Sequence, residues 1–209
     1  MNINTNFEMT EIERQHNCLK TIINILISRN WLDDKFNEYY NKLISTRDSI
    51  HSGDLIDSTN ITCLGGKKIA IKFYGLKLNT LKNEKEIDNF ITKYPEHHKI
   101  LIVNEISPKA EKQIMESNGF EVFRVMEIIR DISTHHLVPK HILLDNVDSQ
   151  RVMEEYKLKK KDMGRIYIDD KMARYLYAQK DDIIQIIRYS INSGYSTYYR
   201  LVVPGSVYT

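Results

Sequence analysis

The sequence predicts an α/β fold divided into two units. Residues 1–132 read as an α/β unit whose sheet is flanked by helices, and residues 133–209 as a small α+β unit with a mixed sheet. Three observations carry this. Apolar residues recur at helical spacing from Glu8 to Ile44. After Ile61 the pattern changes to strand, helix, strand, helix, strand, with the continuous apolar run Ile100-Leu101-Ile102-Val103 that a strand covered on both faces requires. Ile132-Ser133-Thr134 then interrupts the pattern before a second set of short elements begins.

In order, the first helix spans Glu8 to Ser28 with Ile12, Leu19, Ile22, Ile23 and Leu26 between charges, and Asn30 closes it. Asp33 or Asp34 is expected to cap a second helix that carries Phe36, Tyr39, Tyr40, Leu43 and Ile44 on one stripe. Ser45 to Asn60 is polar and reads as loop. A hairpin follows, Ile61–Leu64 and Lys67–Tyr74, turned at Gly65-Gly66. A charged helix from Thr80 to Lys93 stops at Tyr94-Pro95. Ser107-Pro108 opens the next helix: Ser accepts an orphan N–H, and Pro lacks the N–H that the first turn leaves unpaired. It ends at Ser117-Asn118-Gly119, and Phe120 to Ile129 returns to strand. This alternation implies a largely parallel sheet.

The second unit is expected to comprise an extended segment (Leu137–Leu144), a helix (Ser149–Leu158), a short strand (Ile166–Ile168) and a helix (Asp170–Tyr177). Two longer strands, from Ile183 to Arg188 and from Ser196 to Val203, are joined at Asn192-Ser193-Gly194.

Composition narrows the function classes. With 42% hydrophobic and 28% charged residues, the 209-residue chain is ordinary for a globular protein. No apolar run approaches the ~18 residues of a membrane span, and the first ten residues lack a signal-peptide pattern. Two cysteines, Cys18 and Cys63, suit a reducing compartment. Residues 1–134 carry 18 Lys and Arg against 19 Asp and Glu; residues 135–209 carry 12 against 9, a net +3. Any DNA contact is therefore local. No membrane, cofactor or small-molecule substrate is expected.

Several constellations invite chemistry. His135, His136 and His141 are potential metal ligands, but no Cys accompanies them and Pro139 is expected to hold the segment extended, so no metal site is expected. A Mg²⁺ nuclease would need Asp54 or Asp57 and an acid two residues before Lys72; that position is Ala70. The Lys157–Lys161 run reads as a solvated helix end complementing the carbonyl dipole. Tyr195, Tyr198 and Tyr199 either stack on bases or alternate between wet and buried sides of a strand.

From His135-His136-Leu137-Val138-Pro139-Lys140-His141 onward come Tyr156-Lys157-Leu158, Arg165-Ile166, Ala173-Arg174-Tyr175, Ile186-Ile187-Arg188, Ser190 with Gly194, and Tyr199-Arg200. In that order these motifs resemble the fifth subunit of eukaryotic-type DNA-directed RNA polymerases, whose C-terminal half is the counterpart of the small H-type component of archaeal RNA polymerase; a large-DNA-virus version fits as well. The resemblance covers about residues 133–203, with turn positions departing at Gly164, Lys171 and Asp182 and one residue fewer before Leu137. It implies a non-catalytic subunit whose C-terminal unit anchors to the largest polymerase subunit near the small sixth subunit. The anchoring residues would be His135, His136, Leu137, Val138, Pro139, His141, Arg165, Arg174, Arg188 and Arg200.

The same resemblance implies a jaw-like N-terminal domain with a nuclease-like sheet. Asn104 to Ala110 resembles the family segment beside downstream duplex DNA, so Ser107, Pro108, Lys109 and Lys112 are expected close to DNA, contacted without sequence preference. Localisation would be nuclear if the chain is cellular, or virion or cytoplasmic viral factory if viral. The alternatives from other classes are a stand-alone Mg²⁺-dependent nuclease and an autonomous protein–protein adaptor.

Overall fold

The computed structural model describes residues 9–45, 58–81, 84–115, 117, 119–190 and 194–205. It divides into two compact units, Met1–Asp131 and Ile132–Thr209.

In the first unit, α1 (Glu11–Ser28) begins at a capping box: Glu13 N–H donates to Thr10 Oγ1 (3.2 Å) while Glu13 Oε2 accepts from Thr10 N–H (2.8 Å). Its buried stripe includes Cys18, Leu19, Ile22, Ile23, Ile25 and Leu26. Asn30 ends it at φ 56°, with Asn30 N–H bonded to Ile27 O (2.9 Å) and Trp31 N–H to Leu26 O (2.9 Å). For α2 (Phe36–Ser45), Lys35 rather than Asp33 or Asp34 holds the cap position, since its carbonyl accepts the first helical bond from Tyr39 N–H (3.2 Å). Asp33 supports the helix from the side, its carboxylate accepting the Tyr39 hydroxyl. Of the expected stripe, Leu43 is the fully buried member.

The sheet has order β1-β2-β3-β4. β1 (Ser58–Thr62) pairs antiparallel with β2 (Lys68–Leu78) across a 3₁₀ turn in which Gly65 and Gly66 take φ 71° and 80°. β2 then pairs in parallel with β3 (His98–Ile106), and β3 in parallel with β4 (Phe120–Arg124). A largely parallel sheet with one antiparallel edge results. β3 is an inner strand, and His98 through Val103 are buried on both of its faces.

Helix α3 (Lys85–Lys93) starts later than Thr80. The preceding segment is held by Ser107 N–H on Leu78 O (2.9 Å), Ser107 Oγ on Asn79 O (2.6 Å) and Leu81 N–H on Gln113 Oε1 (3.1 Å), so its backbone is committed elsewhere. α4 (Pro108–Met115) opens as expected, with Ala110 N–H donating to Ser107 Oγ (3.2 Å). At its end Gly119 takes φ 75°; Asn118 lies outside the described residues. One apolar layer, Leu78, Ile87, Leu101, Val103, Ala110, Ile114 and Val122, joins sheet to helices. Each Leu, Ile or Val of this layer contributes roughly 1.5–3 kcal/mol on burial. The strand expected to reach Ile129 stops at Arg124, and Val125–Ile128 forms a helical turn, α5. Glu127 Oε2 accepts Arg124 N–H (3.1 Å) and Ile128 is buried, which rewards the turn over extension.

In the second unit, residues 135–138 form a turn closed by Val138 N–H on His135 O (2.8 Å), which corrects the expected extended segment. Pro139 restricts only its own φ and its predecessor, so extension begins at β5 (Lys140–Leu143). α6 (Asn146–Glu155) starts at Asp145, whose Oδ1 accepts Asp148 N–H (2.7 Å), and ends before Leu158 because Lys157 takes φ 52°. β6 (Gly164–Tyr167) leads to α7 (Lys171–Tyr175), capped by Asp170 and ended by Tyr177 at φ 56°. β7 (Ile183–Ser190) and β8 (Gly194–Val203) are the long strands; residues 192 and 193 of the turn between them lie outside the described residues.

The order is β5-β7-β8-β6, antiparallel except for the parallel β8–β6 pair. One face packs Met163, Ile183 and Leu201 with Leu144, Met153, Leu158, Tyr199 and Val203. The other buries Ile166, Ile184 and Val202.

Candidate functional surfaces

Cross-strand partners share a sheet face, so register places the second unit's candidates. His141 pairs with Ile186 and Ile186 with Tyr198; Arg188 pairs with Ser196; Ile184 and Gly164 both pair with Arg200. His141, Arg188, Tyr198 and Arg200 therefore stand on one face. The Arg200 stem crosses Gly164, where an added Cβ would lie 3.8 Å from Arg200 Cγ, and its Nη1 donates to Arg165 O (3.4 Å). Burial holds the His141 imidazole below its ordinary value, against the opposing pull of the Pro139 carbonyl and the Asp170 carboxylate. Its Nδ1 lies 2.7 Å from Pro139 O, so the neutral ring donates that bond.

The remaining candidates are dispersed. Arg165 pairs with Leu201 and points to the opposite face. Arg174 lies half-buried on α7. His135 and His136 stack at 4.6 Å on the exposed turn before β5, Leu137 beside them is 74% exposed, and Val138 and Pro139 are half-buried.

At the start of α4, Ser107 caps and Lys109 and Lys112 are exposed. The neighbouring carboxylates are occupied: Glu105 pairs with Lys77 (3.3 Å) and Glu111 with Arg124 (3.0 Å). The helix start therefore presents cations and a partial positive dipole end, an arrangement suited to phosphate.

The nuclease arrangement finds no support. Lys72 is buried within the sheet with Nζ 3.8 Å from Glu86 Oε2, and Ala70 is packed with Phe90 and Tyr94. Asp54 and Asp57 lie outside the described residues. Among the described residues no three His, Cys, Asp or Glu side chains group to hold a metal. In the Lys157–Lys161 run, Lys157 is the left-handed helix-ending residue and Lys160 donates to Asp181 O (3.0 Å).

The sequence reading missed a buried cluster in the first unit. Arg29 grips Glu121 with two 2.8 Å bonds, and His98 Nε2 lies 2.5 Å from Glu121 Oε1. Trp31 packs edge-on to His98 (5.2 Å), with Lys67 Nζ 3.1 Å from its ring centre. Burial alone pushes the Glu121 carboxyl up, but the guanidinium charge and the hydrogen bonds from His98 and Arg29 together outweigh it and hold it at about 2. The cluster joins the end of α1 to β3 and β4, a structural office. Its members are too far apart in the chain for any local pattern to reveal them.

Residues 124–202 match the family described as RNA polymerase Rpb5, C-terminal domain. The chain is 43% identical over 75 residues to the DNA-directed RNA polymerase subunit Rpo5 of Thermofilum pendens, covering 94% of that protein and 36% of this chain. It is 28% identical over 138 residues to the DNA-directed RNA polymerase subunit 5 of Acanthamoeba polyphaga mimivirus (66% of this chain, 67% of the relative). It is 27% identical over 207 residues to the Dictyostelium discoideum protein named DNA-directed RNA polymerases I, II, and III subunit rpabc1, covering 93% of this chain and 100% of that one.

Proposed function

The chain belongs to the RNA polymerase subunit 5 family and is a non-catalytic subunit of a DNA-directed RNA polymerase; from that premise we propose how its two units divide the work. The second unit anchors the subunit to the largest polymerase chain, near the small sixth subunit. The first forms part of a jaw beside downstream duplex DNA, its sheet nuclease-like in arrangement and without the nuclease chemistry. The complex works in the nucleus of a cell, or in the virion or cytoplasmic factory of a virus.

The observation that carries the anchoring reading is the shared face of His141, Arg188, Tyr198 and Arg200 on a sheet lying almost wholly within the matched segment. A guanidinium fork pairs with carboxylates or backbone carbonyls in directions a lysine cannot match, and Arg and Tyr are enriched at protein interfaces. The turn bearing His135, His136 and Leu137 supplies an exposed apolar and aromatic rim. Arg165, on the opposite face, and Arg174 on α7 are assigned to the anchoring by the family resemblance. Output here is binding energy, with no bond made or broken.

Contact with DNA is assigned to Ser107, Pro108, Lys109 and Lys112. Such a contact would be electrostatic and indifferent to sequence, since nothing at this helix start reads base edges.

Co-purification tests the anchoring. The tagged chain is expected to travel with two very large polypeptides identified by mass spectrometry. The Arg188→Glu and Arg200→Glu double variant is expected to lose them by about tenfold or more, on the scale of disrupted interface arginines, while its circular dichroism is unchanged. Undiminished recovery by a folded double variant would refute the assignment.

A further inference from the structure

In the second unit the flanking strands are shorter than the pair they flank. β5 meets β7 only from Ile184 to Ile187, and β6 meets β8 only from Arg200 to Val203, whereas β7 and β8 stay paired out to Ser190 and Gly194. Residues 188–190 with 194–196 are therefore a two-stranded ribbon projecting past the four-stranded sheet, and residues 197–199 of β8 have a strand, β7, on one side only. A bare two-stranded ribbon is marginally stable in water. This one and the β8 residues beside it also expose large aromatic rings: Tyr189 is 63% exposed, Tyr195 77% and Tyr198 53%.

The hydrogen-bond parity of β8 identifies the outward-facing groups. Val202 N–H and C=O both bond across to residues 182 and 181, while Val203 C=O bonds to Ile168 N–H on the β6 side. With no register shift along β7–β8, even-numbered residues face β7 and odd-numbered residues face the other edge. Tyr195 and Thr197 thus direct both N–H and C=O outward, in line with β6 but beyond its start; Tyr199 directs its N–H the same way, while its C=O belongs to the pairing of β8 with Gly164 of β6. Among the described residues no strand lies against Tyr195 or Thr197.

This stretch lacks the usual protection of an edge. Sheet edges are guarded by charge, proline or brevity. Lys140 and His141 lie on the β5 edge, Arg165 on the β6 edge and Arg188 on the β7 extension, whereas Gly194-Tyr195-Ser196-Thr197-Tyr198-Tyr199 carries neither charge nor proline and favours extended structure.

We propose that the free edge of β8 at Tyr195, Thr197 and Tyr199 is a strand-addition site, completed by an extended acidic segment of a larger polymerase chain. Main-chain bonds to the three outward residues give the affinity. Arg165 and Arg200, standing where the free edge meets β6, receive the carboxylates. A second copy of this chain is disfavoured, because residues 135–209 carry a net +3 and two such units repel. The inference rests on membership of the polymerase complex and adds to it the mode of attachment.

Hydrogen exchange of the full chain, alone and in assembled polymerase, tests it. In the free chain the amides of Ser196 and Tyr198 are slow and those of Tyr195, Thr197 and Tyr199 fast; on assembly the latter three slow at least tenfold. Thr197→Pro deletes an outward N–H and no β7–β8 bond, so it keeps the free fold and loses assembly about tenfold, while Thr197→Ala assembles normally. Odd-numbered amides that remain fast in the polymerase overturn the proposal even if the variant misfolds, as does a folded Thr197→Pro chain that assembles like the wild type. Protection of the same amides by self-association of the free chain also overturns it. A wild-type chain that never joins the polymerase overturns the family-based function along with it.

Discussion

Replacing Glu121 by glutamine keeps the shape of the Arg29–Glu121–His98 cluster and removes its negative charge. The Arg29, Glu121 and His98 side chains are only 1%, 11% and 5% exposed, so solvent screens the pair little. A carboxyl held at about 2 instead of 4.5 corresponds to about 3 kcal/mol favouring the ionised folded state, an order-of-magnitude figure at 1.36 kcal/mol per pH unit. Leaving Arg29 buried without a counter-charge costs a similar amount, roughly 3–5 kcal/mol. The folded-state value is depressed, so this stability is complete above the unfolded value of 4.5 and is lost as pH falls from there toward about 2.

Trp31, the single tryptophan, packs on His98 and reports the event directly. In urea titrations followed by its fluorescence, the wild-type transition is expected to weaken below pH 4.5. Glu121→Gln is expected to be destabilised by about 3 kcal/mol at neutral pH and to lack this part of the acid decline. A variant within about 0.5 kcal/mol of wild type at neutral pH, or with the same acid dependence, refutes the reasoning.

Three further outcomes are expected. Lys109→Glu with Lys112→Glu weakens DNA retention by assembled polymerase and flattens its salt dependence, by about 0.9 in the log–log slope for each phosphate no longer neutralised; equal retention at low salt counts against the assignment. Lys157→Gly, at an exposed left-handed residue, raises the urea midpoint by the equivalent of up to about 1 kcal/mol, because glycine adopts that conformation without the Cβ clash. Burial pushes the Cys18 thiol up to about 12 and the Cys63 thiol up to about 11, so neither reacts with iodoacetamide in the folded chain at neutral pH and both react in denaturant. Rapid labelling of the native protein would contradict that packing.

What the sequence disclosed was local. Ser107-Pro108 announced α4 because a cap is chemistry between residues three apart, and the apolar run from Ile100 announced an inner strand because burial on both faces forbids polar alternation. Gly65-Gly66 marked a turn because glycine alone enters positive φ without a steric penalty. What stayed hidden involved either distant partners or unusual conformations. Arg29 and Glu121 meet across 92 positions. Lys157 and Tyr177 end helices at positive φ, a task for which neither residue type is a signal. The turn at Val125–Ile128 follows from Glu127 reaching back to Arg124 and overrides a strand-prone composition. Of the anchoring candidates, the sequence put Arg188 and Arg200 on the two long strands, but setting them on one face with His141 beside them and Arg165 opposite required the cross-strand register.

β8 is the latest strand of its unit in the chain yet sits between β7 and β6. A ribosome must therefore deliver residues up to Val203 before this sheet can close, and a nascent polypeptide interrupted after residue 193 keeps only β5 against β7. A stop codon within this stretch removes the strand on which both β7 and β6 pair. A cell or virus making this subunit thereby joins assembly competence to completed translation: unfinished copies have no sheet with which to claim a place in the enzyme.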